Sequence, residues 1–317
     1  MKRVALGTQG LSVPAIGLGC MGMSDFYGSS SEPQNLRVLD RAVELGCTFW
    51  DTSDAYGPFT NERLLAKALA GRRDRIILST KFGLSRDERG AWQGIKGSAD
   101  YVKAACDASL SRLGTEHIDL YFQHRVDPKT PIEETVGAMA ELVKAGKVRF
   151  LGLSEADLET IARAHRVHPI SALQTEYSLW SREVEADILP ALRRLGIGFV
   201  AYSPLGRGFL SGAIRSRADL QPGDWRLKNP RFTDEAIAQN SRLATVVAEV
   251  AKEVTATPAQ VALAWLLSRD VPLAAIPGTR SPERLEENWA AQEITLQPAH
   301  LERLDSLGAH GVAGARY

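Results

Sequence analysis

Apolar residues along the chain fall into two alternating patterns: short continuous runs of strand length, and longer stretches in which they recur at helical spacing. Glycine or proline marks most changes from one pattern to the other. The runs at 4–6 and 11–13, on either side of Gly7-Thr-Gln-Gly10, predict a small hairpin. A first buried strand follows at 16–19, then a polar, Ser-rich loop, then a helix that starts at Ser31, carries Leu36, Leu39, Val43 and Leu45, and stops at Gly46. The same alternation predicts strands at 48–51, 76–81, 118–124, 148–154 and 172–174. Each is followed by a helix, at 61–69, 98–113, 131–145, 157–166 and 182–195. Ser98 reads as the cap of its helix, after a Gly-rich loop. The strand at 199–202 leads into a long loop, 203–233, with no predicted core stripe, and then into helical stretches as far as Leu267. A strand at 272–277 and a helix at 281–290 complete the series.

Eight strand-then-helix units joined by short connections, with no linker or shift in composition, predict one α/β domain over 1–317. The expected architecture is a (β/α)8 TIM barrel with the N-terminal β-hairpin capping its floor.

Composition narrows the function. A chain of 317 residues is long enough to bury a large core. Lys and Arg together number 38, as do Asp and Glu, so no basic excess points to nucleic acid or to a membrane surface. The most apolar segment, 261–267, is too short to span a bilayer, and the N-terminus carries no signal-like apolar core. Cys20, Cys47 and Cys106 are odd in number and widely spaced, as expected in a reducing compartment, and lack zinc-site spacing. His165 and His168 lie three apart with no ligand set around them, so no metal is expected. The expectation is a soluble, cytoplasmic protein whose partners are small molecules.

Candidate chemistry lies at the strand ends: Gly19, Asp51, Lys81, His124, Ser154, Gln174, Tyr202 with Ser203, and Pro277. In a barrel these meet in one ring at the C-terminal face, where such folds place their active sites. Each has an ordinary structural reading alone: Asp51 as a helix cap, Lys81 snorkelling, Gln174 satisfying a backbone group, His124 hydrogen-bonded at a strand tip. Burying an acid, a lysine and a histidine together without a purpose is costly, which favours a catalytic ring.

The motifs Phe49-Trp-Asp-Thr-Ser-Asp-Ala-Tyr-Gly57, Ser79-Thr-Lys-Phe82, Leu120-Tyr-Phe-Gln-His124, Leu153-Ser-Glu155, Gln174, Ala201-Tyr-Ser-Pro-Leu-Gly206 and Ile276-Pro-Gly-Thr-Arg-Ser-Pro-Glu-Arg-Leu-Glu-Glu-Asn288 resemble those of the aldo-keto reductase superfamily. They occur in family order over nearly the whole chain. Leu18-Gly-Cys-Met-Gly-Met23 and the 225–232 loop resemble the bacterial and plant branch related to pyridoxal reductases. The resemblance implies a tetrad of Asp51, Tyr56, Lys81 and His124. A carbonyl that accepts hydride develops alkoxide character, and Tyr56 is placed to give it a proton. A free phenol has a pKa near ~10, so Lys81, held by Asp51, is expected to lower it. His124 would hydrogen-bond and orient the carbonyl oxygen.

The resemblance also implies NADPH as cofactor. Ser154 and Gln174 would hold the nicotinamide carboxamide, Tyr202 would stack under the ring, and Ser203, Pro204, Leu205, Gly206 and Arg207 would cover the pyrophosphate. Gly19, Met21 and Asp51 join this set, as do Ile276, Pro277 and Gly278. Thr279, Arg280 and Arg284 would surround the 2′-phosphate, with Glu287 and Asn288 near the adenine. Arg forks suit a dianionic phosphate; relatives often carry Lys where this chain has Gly278, and Asn where it has Glu155. A bland alternative makes Arg284 and Glu287 a solvated helix pair. Gly17-Leu-Gly-Cys-Met-Gly22 fits a Rossmann fingerprint only superficially, because its third glycine opens a turn-rich loop and no helix. The alternatives are a Rossmann dehydrogenase and a non-catalytic NADP(H)-binding regulatory subunit on the same barrel. Tyr27, Trp92, Trp180 and Trp225 are expected to line an apolar pocket for an aldehyde or ketone. Tyr317 is the one aromatic after Gly308. Substrate identity and oligomeric state stay open.

Overall fold

The computed structural model describes residues 2–87 and 89–316, apart from the side chains of Ala309 and His310; Tyr317 lies outside the described residues. The strands are β1 (Arg3–Leu6), β2 (Leu11–Pro14), β3 (Leu18–Gly19), β4 (Phe49–Asp51), β5 (Ile77–Phe82), β6 (Leu84–Arg86), β7 (Trp92–Ile95), β8 (Ile118–Gln123), β9 (Val148–Ser154), β10 (Ile170–Glu176), β11 (Gly198–Tyr202) and β12 (Leu273–Ala275). The helices are α1 (Glu32–Leu45), α2 (Thr60–Leu69), α3 (Ala99–Leu113), α4 (Ile132–Lys144), α5 (Leu158–Val167), α6 (Ile188–Leu195), α7 (Asp234–Glu253), α8 (Pro258–Leu267), α9 (Pro282–Ala290) and α10 (Pro298–Ser306).

Among the described residues, eight parallel strands form one sheet in the order β3-β4-β5-β8-β9-β10-β11-β12. The sheet closes where Ile16 bridges Ala275 and Gly19 bridges Gly278. Gly17 donates to the Ala275 carbonyl at 2.8 Å and Ala275 to that of Ala15 at 2.9 Å. This seam explains two glycines of the false fingerprint. A Cβ on Gly17 would lie 2.7 Å from the Phe49 carbonyl oxygen, and one on Gly19 2.7 Å from that of Ile276. Gly22 sits in a 3-10 turn, Met21–Met23.

The barrel is held from both sides. Outside, helices α1 to α9 bury apolar stripes against strands that are buried along nearly their whole length, as a parallel sheet covered on both faces requires. Inside, the antiparallel β1–β2 hairpin places Leu6, Leu11 and Val13 against Phe49, Leu120, Phe122, Val200 and Ala274. This is the floor plug that the sequence predicts. It rests on Gly198, at the start of β11, where an added Cβ would stand 2.7 Å from the Leu6 Cα. Gly198→Ala is expected to destabilise the fold by about 1–3 kcal/mol through overpacking. Denaturant titration measures it, and NADPH affinity should stay constant, because the plug lies at the opposite end from the strand tips.

Four local expectations are corrected. The Gly-rich loop before α3 contains the β6–β7 hairpin, whose polar residues hide its strand character. Ser98 precedes α3 without capping it; the Ala99 amide donates to Glu134 Oε1 at 3.3 Å instead. The helix expected at 182–195 breaks into a 3-10 turn, Glu183–Glu185, and α6. Pro190 lacks an amide proton and fits only in a first helical turn, so α6 restarts just before it. Finally, the 203–233 loop does feed the core, burying Phe209, Leu210, Ile214, Leu220 and Phe232. Its short 3-10 turns present these residues at spacings that no helical or strand template detects.

Candidate active site

The strand tips open into a cavity of about 860 Å³. Asp51 at the end of β4, Lys81 in β5 and His124 just after β8 converge there, with Tyr56 on the loop leaving β4. The His124 amide is fixed by the Phe82 carbonyl at 2.8 Å. Lys81 has no solvent exposure and sits behind the cavity wall. Its ammonium donates to Asp51 Oδ1, to the Thr52 carbonyl at 2.8 Å and to the Tyr56 hydroxyl at 3.3 Å. All three of its protons are therefore engaged. Asp51 Oδ2 in turn accepts from Ser79 Oγ at 2.7 Å and Gln174 Nε2 at 2.9 Å. The buried pair is thus fully hydrogen-bonded, the condition under which a buried ion pair is tolerated.

The electrostatics refine the sequence reading of Tyr56. Burial pushes its phenol above the usual value, while Lys81 pulls in the opposite direction. Burial wins, so the phenol stays protonated at neutral pH, and Lys81 offsets part of that rise without bringing the pKa below its ordinary value. Burial also pulls the Lys81 ammonium down, but Asp51 and Tyr56 outweigh it and its pKa ends up raised. Burial, then the Lys81 cation, holds His124 well below its usual range. The imidazole is neutral at pH 7. Ser53 Oγ lies 3.1 Å from its Nδ1; with the Ser53 proton on Nδ1, the ring carries its own proton on Nε2. The Tyr56 and His124 rings meet edge to face at 5.7 Å between centroids.

The cavity wall includes Tyr56 and His124 and also Thr279, Arg280 and Arg284. Gly19, Met21, Asp51, Ser154, Gln174, Tyr202, Ser203, Pro204, Leu205, Arg207, Ile276, Pro277, Gly278, Glu287 and Asn288 line it as well. Gly206 does not join them: it packs beneath Trp180, where a Cβ would stand 2.4 Å from the indole. Tyr27, Trp92 and Trp225 line the cavity, but Trp180 does not. Trp180 is 2 % exposed and lies against Phe209, with centroids 4.1 Å apart, and Phe232, because the 203–233 loop folds over it.

Three arginines behave differently from one another. Arg207 pairs with Glu176 at 2.8 Å. Arg280 donates to the carbonyls of Ser29 at 2.5 Å and Tyr27 at 2.9 Å, tying down the loop before α1. The Arg284 guanidinium meets no partner among the described residues, so the alternative of a helix pair with Glu287 is not formed. Glu155 does not line the cavity. It holds a left-handed backbone, φ 55°, and its carboxylate accepts from the Glu176 amide at 3.1 Å and from Arg316. Arg316 also donates to Glu176 at 2.9 Å and to the Tyr202 hydroxyl at 2.7 Å.

Sequence reasoning overlooked Ser53, Ser79, Phe26, Arg86 and Arg125. Ser53 and Ser79 lie inside motifs already singled out, and Arg125 directly follows His124. Phe26 lies in a loop, and Arg86 ends the short β6 strand, neither of which any periodicity reveals.

With the geometry in place, comparison with known proteins is informative. The family model described as "Aldo/keto reductase family" matches residues 15–309. A thermostable aldo-keto reductase, Tm1743, solved with the inhibitor epalrestat, is 30% identical with a TM-score of 0.79, covering 97% of this chain and 100% of that one. An aldo/keto reductase from Klebsiella pneumoniae, solved with NADP and acetate, is 29% identical with a TM-score of 0.76, covering 97% and 95%. The aldo-keto reductase AKR11C1 from Bacillus halodurans, in its holo form, is 30% identical with a TM-score of 0.79, covering 100% and 98%.

Proposed function

This chain belongs to the aldo/keto reductase family, whose members are oxidoreductases that use NADP(H), and we propose that it reduces aldehydes or ketones to alcohols with NADPH as cofactor and Tyr56 as proton donor. The observation that carries the proposal is the buried Asp51–Lys81 pair with its ammonium 3.3 Å from the Tyr56 hydroxyl, at the wall of the cavity.

The cavity fits the cofactor on its own evidence. Its lining joins a buried proton donor, Tyr56, to a guanidinium, Arg284, that meets no partner among the described residues. Tyr202 would lie under the nicotinamide, with Ser154 and the Gln174 amide oxygen holding the carboxamide. The 203–207 loop would meet the pyrophosphate, and Thr279 and Arg284 the 2′-phosphate, with Arg280 adding charge from beside them. When bound, NADPH supplies the hydride that reaches the carbonyl carbon. The protein's part is proton and charge management. His124 offers one N–H to the carbonyl oxygen and orients it. Tyr56 transfers its phenol proton to that oxygen as negative charge develops. Lys81 stabilises the phenolate left behind, and Asp51 holds the ammonium at its station.

NADPH consumption over a panel of carbonyls tests the reaction class; no turnover of any member would favour a regulatory subunit. The cofactor assignment has its own test. Arg284→Ala is expected to weaken NADPH by about tenfold while leaving NADH nearly unchanged, because only the 2′-phosphate meets this charge. Equal weakening of both in a fluorescence titration would place the phosphate elsewhere.

A further inference from the structure

We propose that the carbonyl substrates of this site carry a carboxylate, seated on Arg125. The inference rests on the carbonyl-reducing reading above and adds the charge of the substrate to it. Arg125 follows His124 at the end of β8 and lines the same cavity as Tyr56 and His124. Its Nη1 donates to the His124 carbonyl oxygen at 2.7 Å and lies 3.4 Å from Ser154 Oγ. These contacts fix one corner of a planar fork. Among the described residues, its Nε and Nη2 meet no acceptor and no carboxylate lies within ion-pair distance. A guanidinium held in this way presents the edge that binds a carboxylate through two parallel hydrogen bonds.

Other charges in the cavity lining, Arg284 and Glu287 apart, have partners among the described residues. Asp51 is paired with Lys81. Arg86, the second cation on this side, has Asp25 as its nearest carboxylate at 3.9 Å. Asp25 itself accepts the amides of Phe26 at 2.9 Å and Gly57 at 3.1 Å. The cofactor's phosphates do not account for Arg125. The residues that would hold them leave β11 and β12, and two strands, β9 and β10, separate these from β8 in the sheet. Arg125 therefore stands apart from the phosphate-holding strands, in a cavity whose lining also includes Phe26, Trp92 and Trp225. It also adds to the positive field that keeps His124 neutral. An apolar or aromatic body with a carbonyl at one point and a carboxylate at another matches this lining.

The test compares 4-carboxybenzaldehyde with 4-methylbenzaldehyde, which differ little in shape, on the NADPH-loaded enzyme. The wild type should favour the carboxylate in kcat/KM. Arg125→Met should cut that preference by about 10–100-fold, leave turnover of the methyl compound and NADPH affinity within a few-fold, and Arg125→Lys should restore part of it. In parallel, calorimetry with benzoate and benzamide reads the site without turnover. Tighter benzoate binding that disappears in Arg125→Met upholds the proposal even if neither aldehyde is reduced, an outcome that would overturn only the reaction. No carboxylate preference in the wild type, or equal loss on both aldehydes in Arg125→Met, overturns it and leaves Arg125 as a strut for His124 and Ser154.

Discussion

Tyr56→Phe is expected to lower carbonyl turnover by about 10²–10⁴-fold, the usual contribution of a general acid, while NADPH affinity stays within a few-fold. The phenol proton matters only as charge builds on the carbonyl oxygen, so its loss falls on kcat and spares cofactor binding. The substitution keeps the ring, and with it the edge-to-face contact with His124. It removes one of three acceptors of the Lys81 ammonium, which keeps Asp51 and the Thr52 carbonyl. Because burial holds the phenol above its ordinary pKa, the reductive rate should be flat through neutral pH and decline only as the donor deprotonates in alkali. Stopped-flow turnover on a generic aldehyde, with NADPH binding followed by fluorescence, decides the matter. Turnover within a few-fold of wild type would move the donor role to His124.

Lys81→Met should be equally severe for turnover, and it should also damage stability. With the ammonium gone, the Asp51 carboxylate keeps Ser79 and Gln174 but loses its counter-charge in a site where the two side chains are 4 % and 0 % exposed. Breaking such a pair from one side typically costs ~3–5 kcal/mol. Adding Asp51→Asn to Lys81→Met removes the orphaned charge and should recover most of the lost stability in urea titrations, without recovering activity. A double variant as unstable as the single one would show that Lys81 supports the fold by packing alone.

The parallel strands were legible because each is a compact apolar run, many of them closed by glycine or proline, and their tips carried the chemistry in chain order. Asp51, Tyr56, Lys81 and His124 meet as the barrel requires. The features that escaped are those that depend on neighbours far along the chain. Trp180, between Leu179 and Ser181, reads the same in either setting; only the path of the 203–233 loop decides that it packs on Phe209 and Phe232. Arg280 looks like a phosphate ligand by composition, yet it grips carbonyls of a loop more than two hundred residues earlier, at Tyr27 and Ser29, a separation of 253 residues for the first. The sign of the Tyr56 shift was equally hidden, because it is set by how deeply the phenol is enclosed.

Arg316 gives the assembly of the site an order in time. Glu155, Glu176 and Tyr202, which it joins, precede it by 161, 140 and 114 residues. At translation rates of ~5–20 residues per second, the tyrosine on which the nicotinamide would rest leaves the ribosomal tunnel on the order of ten seconds before the cation that tethers its hydroxyl. Through that interval Glu176 has Arg207 and Arg231 to balance it, while Glu155 has no cation among the described residues until Arg316 arrives. A nascent chain can therefore close most of its strands while the shelf for the cofactor is still loose. NADPH-binding competence should appear late and abruptly, only once Arg316 has cleared the tunnel, after most of the strands have become resistant to protease.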